Sequence, residues 1–177
     1  NDCGMDEISV IYSNVDGFLN KKDEFFSRVE DLKPGIIALS EIKPKNAQSF
    51  CEGEYHISNY DMFINKNHKR GVVLYMEQTL NAHECEELDD TDFHESVWCT
   101  FSTINDGKIL LGCIYRSPNT SSEENDEKLF KLLKSDKVAK YDKICIMGDF
   151  NFPMVRWDGE WSGEKSQNIL LHLQDAF

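Results

Sequence analysis

The chain has 177 residues, of which 40% are hydrophobic and 11% aromatic, and it carries a formal net charge of −13. This size and composition predict a single domain with a hydrophobic core. The acidic balance argues against a protein that coats nucleic acid through lysine and arginine alone, although an enzyme that meets phosphate through bound metal ions stays compatible with it. No apolar run approaches the roughly 18 residues that span a membrane, so we expect no membrane partner.

The six cysteines are scattered without a Cys-x-x-Cys pair, and Cys99, Cys113 and Cys145 lie in apolar, strand-like runs. A free thiol in such a run behaves as a small hydrophobic side chain. This usage favours a reducing, intracellular setting over a disulfide scaffold or a structural zinc site. Because the chain does not begin with Met and shows no signal-peptide pattern, we expect it to be an excised or processed piece.

The first predicted strand is Ile8–Tyr12, and polar residues follow it directly. Asn14 and Asp16 are two positions apart, which places their side chains on one face of an extended chain. A helix is predicted over Lys22–Leu32, where the apolar residues recur at helical spacing. Its inward stripe would comprise Phe25, Val29 and Leu32.

The next apolar run, Ile36–Leu39, is short and uniform, which is typical of a buried central strand. Glu41 and Lys43 follow it. A carboxylate at the mouth of a buried strand needs either a partner or a metal, because a lone buried charge is costly. The alternative is that Glu41 is simply exposed to solvent at the end of the strand.

Two further strands are predicted at 60–64 and 71–76, joined by the basic loop Asn65–Arg70. In so acidic a protein this loop either faces a nucleic-acid backbone or is a solvated turn. The strongly acidic stretch 84–92 is predicted to be a solvent loop, and it lacks the ligand spacing of a calcium-binding loop.

A hairpin is predicted in the centre of the chain, with Asn105-Asp106-Gly107 as its turn. Its first strand, Ser96–Ser102, alternates and is expected to be half-buried. The inward side chains would be Val97, Cys99 and Phe101, opposite Trp98 and Thr100. The returning strand ends at Tyr115 and Arg116.

The last third of the chain is predicted to contain a helix, a strand and a second helix. The first helix, 121–134, opens with a capping-box pattern at Ser121 and Glu124 and turns its leucines at 129, 132 and 133 inward. A short buried strand, Ile144–Met147, then leads into Gly148-Asp149-Phe150-Asn151, where Asp149 and Asn151 again share a face. Residues 166–174 are predicted to form the final helix.

Four strand ends therefore carry polar side chains, in an order of strands and helices that is interrupted by one hairpin. The hairpin favours a layered α/β sandwich of mixed sheets over a purely parallel sheet. Carboxylates that hold Mg²⁺, a cation near the departing oxygen and an activated water are the components of metal-assisted phosphodiester cleavage. The sequence lacks a Gly-x-Ser-x-Gly elbow, a phosphate-binding loop and a His-Glu-x-x-His motif.

These motifs resemble the endonuclease/exonuclease/phosphatase superfamily, and within it the abasic-site-endonuclease-like domain of non-LTR retrotransposons. Five segments match in the order of the family. They are Asn14-Val15-Asp16-Gly17, Ser40-Glu41-Ile42-Lys43, Arg70-Gly71-Val72, Tyr115-Arg116-Ser117-Pro118 and Gly148-Asp149-Phe150-Asn151. The run from Glu41 to Asn46 is especially similar to the retrotransposon branch.

The resemblance implies a four-layered α/β sandwich and a Mg²⁺-dependent (alternatively Mn²⁺-dependent) DNA endonuclease that nicks target DNA in the nucleus for a retroelement. The roles it implies are as follows: metal binding by Glu41 and Asp16, with Asn14 beside them; orientation or deprotonation of the attacking water by Asp149; hydrogen bonding to water or phosphate by Asn151; phosphate contact by Tyr115; phosphate or DNA binding by Lys43 and Arg70; and support of the site or DNA-backbone binding by Arg116. A phosphatase or sphingomyelinase-type esterase of the same superfamily is the alternative enzyme.

One departure from the family concerns the carboxy-terminal part. Members of the family end with a Ser-Asp-His segment on a late strand, and none of the five histidines here has that context. We therefore expect residues 1–177 to form one domain that lacks its last strands and exposes a sheet edge. That edge would suit a homodimer, and the chain would be an impaired nuclease or an inactive binding module.

Overall fold

The computed structural model describes residues 7–46, 51–65, 70–89, 91–118 and 122–153. Within these ranges the chain forms two mixed sheets. The first sheet comprises β1 (Val10–Asn14), β2 (Ile36–Ser40), β3 (Tyr60–Ile64) and β4 (Val72–Glu77). The second comprises β5 (His83–Glu84), β6 (Ser96–Thr103), β7 (Gly107–Tyr115) and β8 (Lys143–Asp149).

Each sheet contains one parallel pair of strands beside antiparallel neighbours. The first sheet has the order β1-β2-β4-β3, and β1 runs parallel to β2 with Asn14 opposite Ser40. The second has the order β5-β6-β7-β8, and β7 runs parallel to β8 with Tyr115 opposite Asp149. Contacts between β1 and β8 join the two sheets, so the carboxyl ends of both parallel pairs meet.

The two sheets pack face to face, and helices cover their outer faces. Alternate residues of β2 divide between the layers, because neighbouring side chains of a strand point to opposite faces. Ile36 and Ala38 join the core between the sheets, whereas Ile37 and Leu39 pack toward the helix α1 (Lys22–Leu32). This four-layered arrangement confirms the predicted α/β sandwich.

Three helices cover the outer face of the second sheet. They are α2 (Glu86–Asp89), α3 (Glu123–Leu133) and α4 (Asp136–Ala139). Their apolar residues pack with Trp98, Leu110 and Ile114 into one cluster. Trp98 lies so close to Gly112 that a Cβ atom at that glycine would be 2.4 Å from the indole ring. The predicted hairpin turn is confirmed, since Thr103 pairs with Gly107 across it.

Strand β6 and the acidic stretch before it differ from their predictions. β6 was expected to be half-buried, but Trp98 and Thr100 are buried as well, because one face of the strand meets the first sheet and the other meets the helices. The predicted acidic loop contains β5 and α2. Cys85 and Leu88 anchor this segment in the core, whereas Glu84, Glu86, Glu87 and Asp92 are exposed.

Helices α1 and α3 have the expected positions, with two corrections at their ends. Leu32, predicted to face inward, is 63% exposed because it lies in the last turn, where the chain leaves the helix through the left-handed residue Lys33. The cap of α3 lies one residue later than predicted. The Ser122 hydroxyl accepts a hydrogen bond from the Asn125 N–H at 3.2 Å, whereas Ser121 lies outside the described residues.

Strand β8 is more exposed than the sequence predicted, and strand β1 lies later in the chain than predicted. β1 begins and ends two residues later than expected, and its alternate residues are exposed. β8 was expected to be buried, but Cys145 is exposed, because β8 is the edge strand of the described part of the second sheet. The predicted final helix and the centre of the basic loop lie outside the described residues. Among the described helices, none has the length and apolar character needed to cross a membrane.

Candidate active site

The strand ends of both sheets meet at Asn14, the last residue of β1. Its amide Nδ2 donates to Glu41 Oε1 at 2.8 Å, beyond the end of β2, and to Asp149 Oδ2 at 3.2 Å, at the end of β8. Asn14 is separated from Asp149 by 135 positions of chain. The structure thus brings together three of the predicted site residues, and one amide group connects the two sheets.

Two of the loops beside the Asn14 amide contain the same kind of side-chain-to-backbone turn. The Asn14 side-chain oxygen accepts from the N–H of Asp16 at 3.2 Å, and the Asp149 Oδ1 accepts from the N–H of Asn151 at 3.2 Å. Such a bond from a side chain to the backbone two residues on forms a tight turn. Asp16 and Asn151 accordingly have positive φ angles, of 39° and 47°. Asn14 with Asp16, and Asp149 with Asn151, were expected to share a face of an extended chain. The backbone turns at both pairs instead, so this expectation was wrong.

Glu41 also has a left-handed backbone, with φ of 55°. This conformation is uncommon outside glycine and asparagine, and such outliers cluster at functional sites. Hydrogen bonds on either side hold it, because the Glu41 carbonyl accepts from Gly17 at 2.7 Å and the next N–H, of Ile42, donates to Gly71 at 3.4 Å. The backbone therefore fixes the direction of the Glu41 side chain.

The carboxylate of Glu41 is mostly buried and accepts hydrogen bonds from three side chains. Burial alone raises the pKa of this group, but hydrogen bonds from Asn14, Arg70 and Tyr115 together outweigh burial and hold the pKa below its ordinary value of 4.5. Glu41 is therefore ionised at neutral pH. The predicted alternative of a simply solvent-exposed residue does not fit, because the side chain is 16% exposed.

Arg70 joins the two carboxylates that the sequence assigned to a metal. Its guanidinium NH2 donates to both Asp16 Oδ1 and Glu41 Oε2, and the side chain is 12% exposed. The hydrogen bond from Arg70, followed by the charge of Lys45 at 3.9 Å, lowers the pKa of Asp16. Arg70 thus lies within the carboxylate cluster, in addition to its predicted role toward DNA.

Tyr115 reaches the same cluster from the end of β7. It is buried on the face toward the first sheet, and its hydroxyl is hydrogen-bonded to Glu41. Burial raises the pKa of this hydroxyl first, and the negative charge of Glu41 raises it further. The group therefore stays protonated and able to donate a hydrogen bond across the neutral pH range.

Arg116 points to the opposite side of β7 from Tyr115. Its guanidinium donates to the two carboxylate oxygens of Asp126, at 2.6 and 3.1 Å, and to the carbonyl of Asn151 at 2.6 Å. The amide of Asn151 in turn donates to the Arg116 carbonyl at 2.9 Å. These two predicted site residues are thus bound to each other beside the cluster.

Lys43, a predicted phosphate contact, is largely buried next to Gly71. Burial lowers the pKa of its ammonium group. Its backbone N–H donates to the Arg70 carbonyl at 2.7 Å, so the segment that follows β2 is bonded to the segment that precedes β4.

The oxygen ligands at this site suit a hard divalent cation. In the described part of the chain, no group of three or more His, Cys, Asp or Glu side chains is close enough to hold a metal. Mg²⁺ needs fewer protein ligands, since it usually keeps several waters and takes one or two carboxylates. Glu41 and Asp16 supply two carboxylates joined by one cationic group, with an amide beside them. The donor set therefore fits Mg²⁺ or Mn²⁺, with Arg70 as the competing cation.

A comparison with protein families identifies the family of this chain. Residues 11–171 match the endonuclease/exonuclease/phosphatase family. The chain belongs to this family. The comparison with curated proteins gives no match.

Solved structures of the endonuclease/exonuclease/phosphatase fold cover nearly the whole chain. The endonuclease domain of TRAS1, a telomere-specific non-LTR retrotransposon, is 13% identical with a TM-score of 0.69, over 96% of this chain and 72% of that domain. The 3′ phosphatase NExo from Neisseria, bound to a product DNA hairpin, is 16% identical with a TM-score of 0.65, over 96% and 71%. The AP endonuclease of Leishmania major is 16% identical with a TM-score of 0.64, over 96% and 65%. At these identities the matches establish the fold.

The sequence did not point to three residues around this family site. Lys45 lies beside Asp16, Asp126 binds Arg116, and Glu95 holds the segment after β7. The Glu95 carboxylate accepts from the N–H of Ser117 at 3.1 Å. Lys45 falls within the run from Glu41 to Asn46, which was a usable signal. Asp126 and Glu95 have no local signal, because contacts between separate segments of the chain bring them to the site.

Proposed function

We propose that this chain is a Mg²⁺-dependent DNA endonuclease that nicks target DNA for a non-LTR retroelement, and that it acts in the nucleus. One observation carries the proposal: Asn14 binds Glu41 and Asp149 simultaneously, so the two carboxylates to which we assign metal binding and water activation lie on either side of a single amide. Family membership and the fold of nucleases support the reaction class.

We assign each residue of the site one role in this reaction. Glu41 and Asp16 would hold the ion, which when bound neutralises charge on the phosphate and the departing oxygen. Asp149 would accept the proton of the attacking water, and hydrogen bonds from Asn14 and Asn151 fix its two oxygens. Tyr115 keeps its proton, which it donates to Glu41 here, and would turn this single donor to the scissile phosphate when substrate is bound. Arg70 and Lys43 would contact the phosphate backbone, and DNA is the proposed partner.

Nicking of supercoiled plasmid with and without Mg²⁺ tests the proposal. We expect Mg²⁺-dependent conversion to the open circle, and a loss of about 10²–10⁴-fold in Asp149→Ala, since a general base typically contributes this much. Asp106→Asn is the matched control, because Asp106 lies at the opposite end of β7, where it binds Lys143 at 2.7 Å.

Parallel arms of the experiment address the two alternatives. Release of phosphate from phosphoinositides without plasmid nicking would show a phosphatase of the same superfamily instead. Absence of both activities, together with a stable dimer in sedimentation, would indicate an inactive module that pairs through its sheet edge.

A further inference from the structure

We propose that Asp126, on helix α3, is a positioning residue for Asn151 and acts through the guanidinium of Arg116. The catalytic part of this inference rests on the proposed nuclease function. Asp126, Arg116, Asn151 and Phe152 are called the Arg116 clamp below.

Arg116 is fixed on every side within the described structure. Asp126 accepts from its Nε at 2.6 Å and from its NH2 at 3.1 Å, which is the bidentate geometry that Arg favours with carboxylates. The centre of the Phe152 ring lies 4.1 Å from the guanidinium carbon of Arg116, so the planar cation also packs against an aromatic face. The Arg116 side chain is 9% exposed.

The clamp holds Asn151 at two points. Arg116 NH1 donates to the Asn151 carbonyl at 2.6 Å, and Asn151 Nδ2 donates to the Arg116 carbonyl at 2.9 Å. Asparagine adopts the left-handed backbone of residue 151 more readily than most residues do, but the direction of its side chain still needs neighbouring groups to hold it. These two bonds supply that hold.

The effect of the clamp extends to Asp149. The Asn151 N–H donates to Asp149 Oδ1 at 3.2 Å, and the N–H of Arg116 donates to the Asp149 carbonyl at 2.8 Å. A rotation of Asn151 would therefore remove one of the two hydrogen bonds that orient the Asp149 carboxylate. A misplacement of this kind lowers turnover without necessarily changing substrate affinity.

Helix α3 contributes to the clamp a second time. Phe130, one turn after Asp126, stacks on Phe152 with ring centres 6.2 Å apart and an angle of 14° between the planes. Asp126 and Phe130 thus fix the loop after β8 from the same face of the helix.

Asp126 is the charge that keeps Arg116 in this place. A buried guanidinium that loses its carboxylate partner is left uncompensated, and it relaxes toward water. Such a movement would withdraw NH1 from the Asn151 carbonyl. Asp126→Asn therefore releases Asn151, although residue 126 does not touch the reacting atoms.

The test is a double-mutant cycle on a defined oligonucleotide substrate, with kcat and KM measured separately. We expect Asp126→Asn to lower kcat about 10- to 100-fold while KM changes less than about twofold. In the Asn151→Ala background the same substitution should cause a smaller loss, because the side chain that the clamp orients is absent and only the backbone bonds of residue 151 remain. Arg116→Lys is the second variant. It keeps a charge beside Asp126, but its single nitrogen cannot reproduce the bidentate bond to Asp126 together with the separate bond from NH1 to the Asn151 carbonyl, so it should reproduce the loss.

Glu124→Gln is the matched control, because Glu124 lies on the same helix in an exposed pair with Lys128 and should leave kcat unchanged. Equal losses of kcat in the wild-type and Asn151→Ala backgrounds would overturn the proposal, since Asp126 would then act on the fold in general.

If the wild-type protein shows no nuclease activity, the proposed nuclease function fails. The positioning role is then tested by a measurement that does not depend on activity. The side-chain amide signal of Asn151 in a ¹⁵N NMR spectrum, assigned through Asn151→Asp, then decides the positioning role. Its displacement in Asp126→Asn but not in Glu124→Gln supports the clamp, and an unchanged signal in Asp126→Asn overturns it.

Discussion

Arg70 and Glu41 form a largely buried ion pair at the point where the two sheets meet. The same guanidinium nitrogen also binds Asp16, so one internal cation neutralises both carboxylates proposed to hold Mg²⁺. Burial alone lowers the pKa of Arg70, but the hydrogen bonds to Glu41 and Asp16 outweigh burial and raise it. Arg70 is therefore permanently charged and competes with a metal ion for these oxygens.

Removal of the Arg70 charge should strengthen metal binding. We expect Arg70→Gln to bind Mn²⁺ about tenfold more tightly than the wild type in isothermal titration calorimetry, which corresponds to a modest screened charge interaction. Arg28→Gln is the control, since Arg28 pairs with Glu24 on the exposed face of α1. A weaker affinity in Arg70→Gln would mean that Arg70 supports the metal site instead of competing for it.

The contribution of Glu41 to stability should depend on pH in a defined direction. Its pKa is lower in the folded protein than in the unfolded chain, so its ionised form stabilises the fold above the unfolded value, and this stabilisation disappears as the pH falls through the folded value. We expect Glu41→Gln to lower the free energy of unfolding by roughly 1–2 kcal/mol at neutral pH.

The difference in the free energy of unfolding between the wild type and Glu41→Gln should then decrease as the pH falls below about 4.5. Urea unfolding at a series of pH values from neutral to acidic measures it. A difference that stays constant through the acidic range would show that the Glu41 carboxylate is not the source of the stabilisation.

The sequence predicted the architecture because the architecture depends largely on local signals. The apolar strand β2, the hairpin turn before Gly107 and the stripe of helix α3 follow periodicity and turn chemistry, which the fold obeys. The residues at the strand ends were recognisable as motifs, and the structure brings Asn14 together with Asp149.

The rest could not be predicted, because it depends on contacts between distant parts of the chain. Trp98 is buried on what looked like the outer face of β6 only because helices pack there. Arg116 was expected either to support the site or to bind the DNA backbone, but the sequence did not show that Asp126, ten positions away on helix α3, binds its guanidinium. The left-handed turns at Asp16 and Asn151 also replace the alternation that an extended strand predicts.

Loss of the Tyr115 hydroxyl should reduce turnover while leaving the fold intact. The hydroxyl binds Glu41, and the ring packs between the sheets, so phenylalanine preserves the packing and removes one donor. We expect Tyr115→Phe to lower the plasmid-nicking rate about 10²-fold, as for other donors directed at developing charge. Tyr75→Phe is the control, because that hydroxyl binds the Tyr55 carbonyl at 2.6 Å, in the outer core of the first sheet. Equal nicking rates in Tyr115→Phe and the wild type would contradict this role.

Gly148 should tolerate no side chain, because the backbone of β7 occupies the space. Its φ is 151°, and a Cβ atom there would lie 1.9 Å from the Ile114 carbonyl oxygen. We expect Gly148→Ala to lower the free energy of unfolding by roughly 2–4 kcal/mol, and to reduce nicking because the next residue is Asp149. Gly17→Ala separates the two causes, since Gly17 has φ of 94° but no atom within 4 Å of such a Cβ. Thermal unfolding of both variants measures the difference: an equal loss would show that backbone strain alone accounts for Gly148, whereas a larger loss in Gly148→Ala assigns the excess to the displacement of β8 from β7.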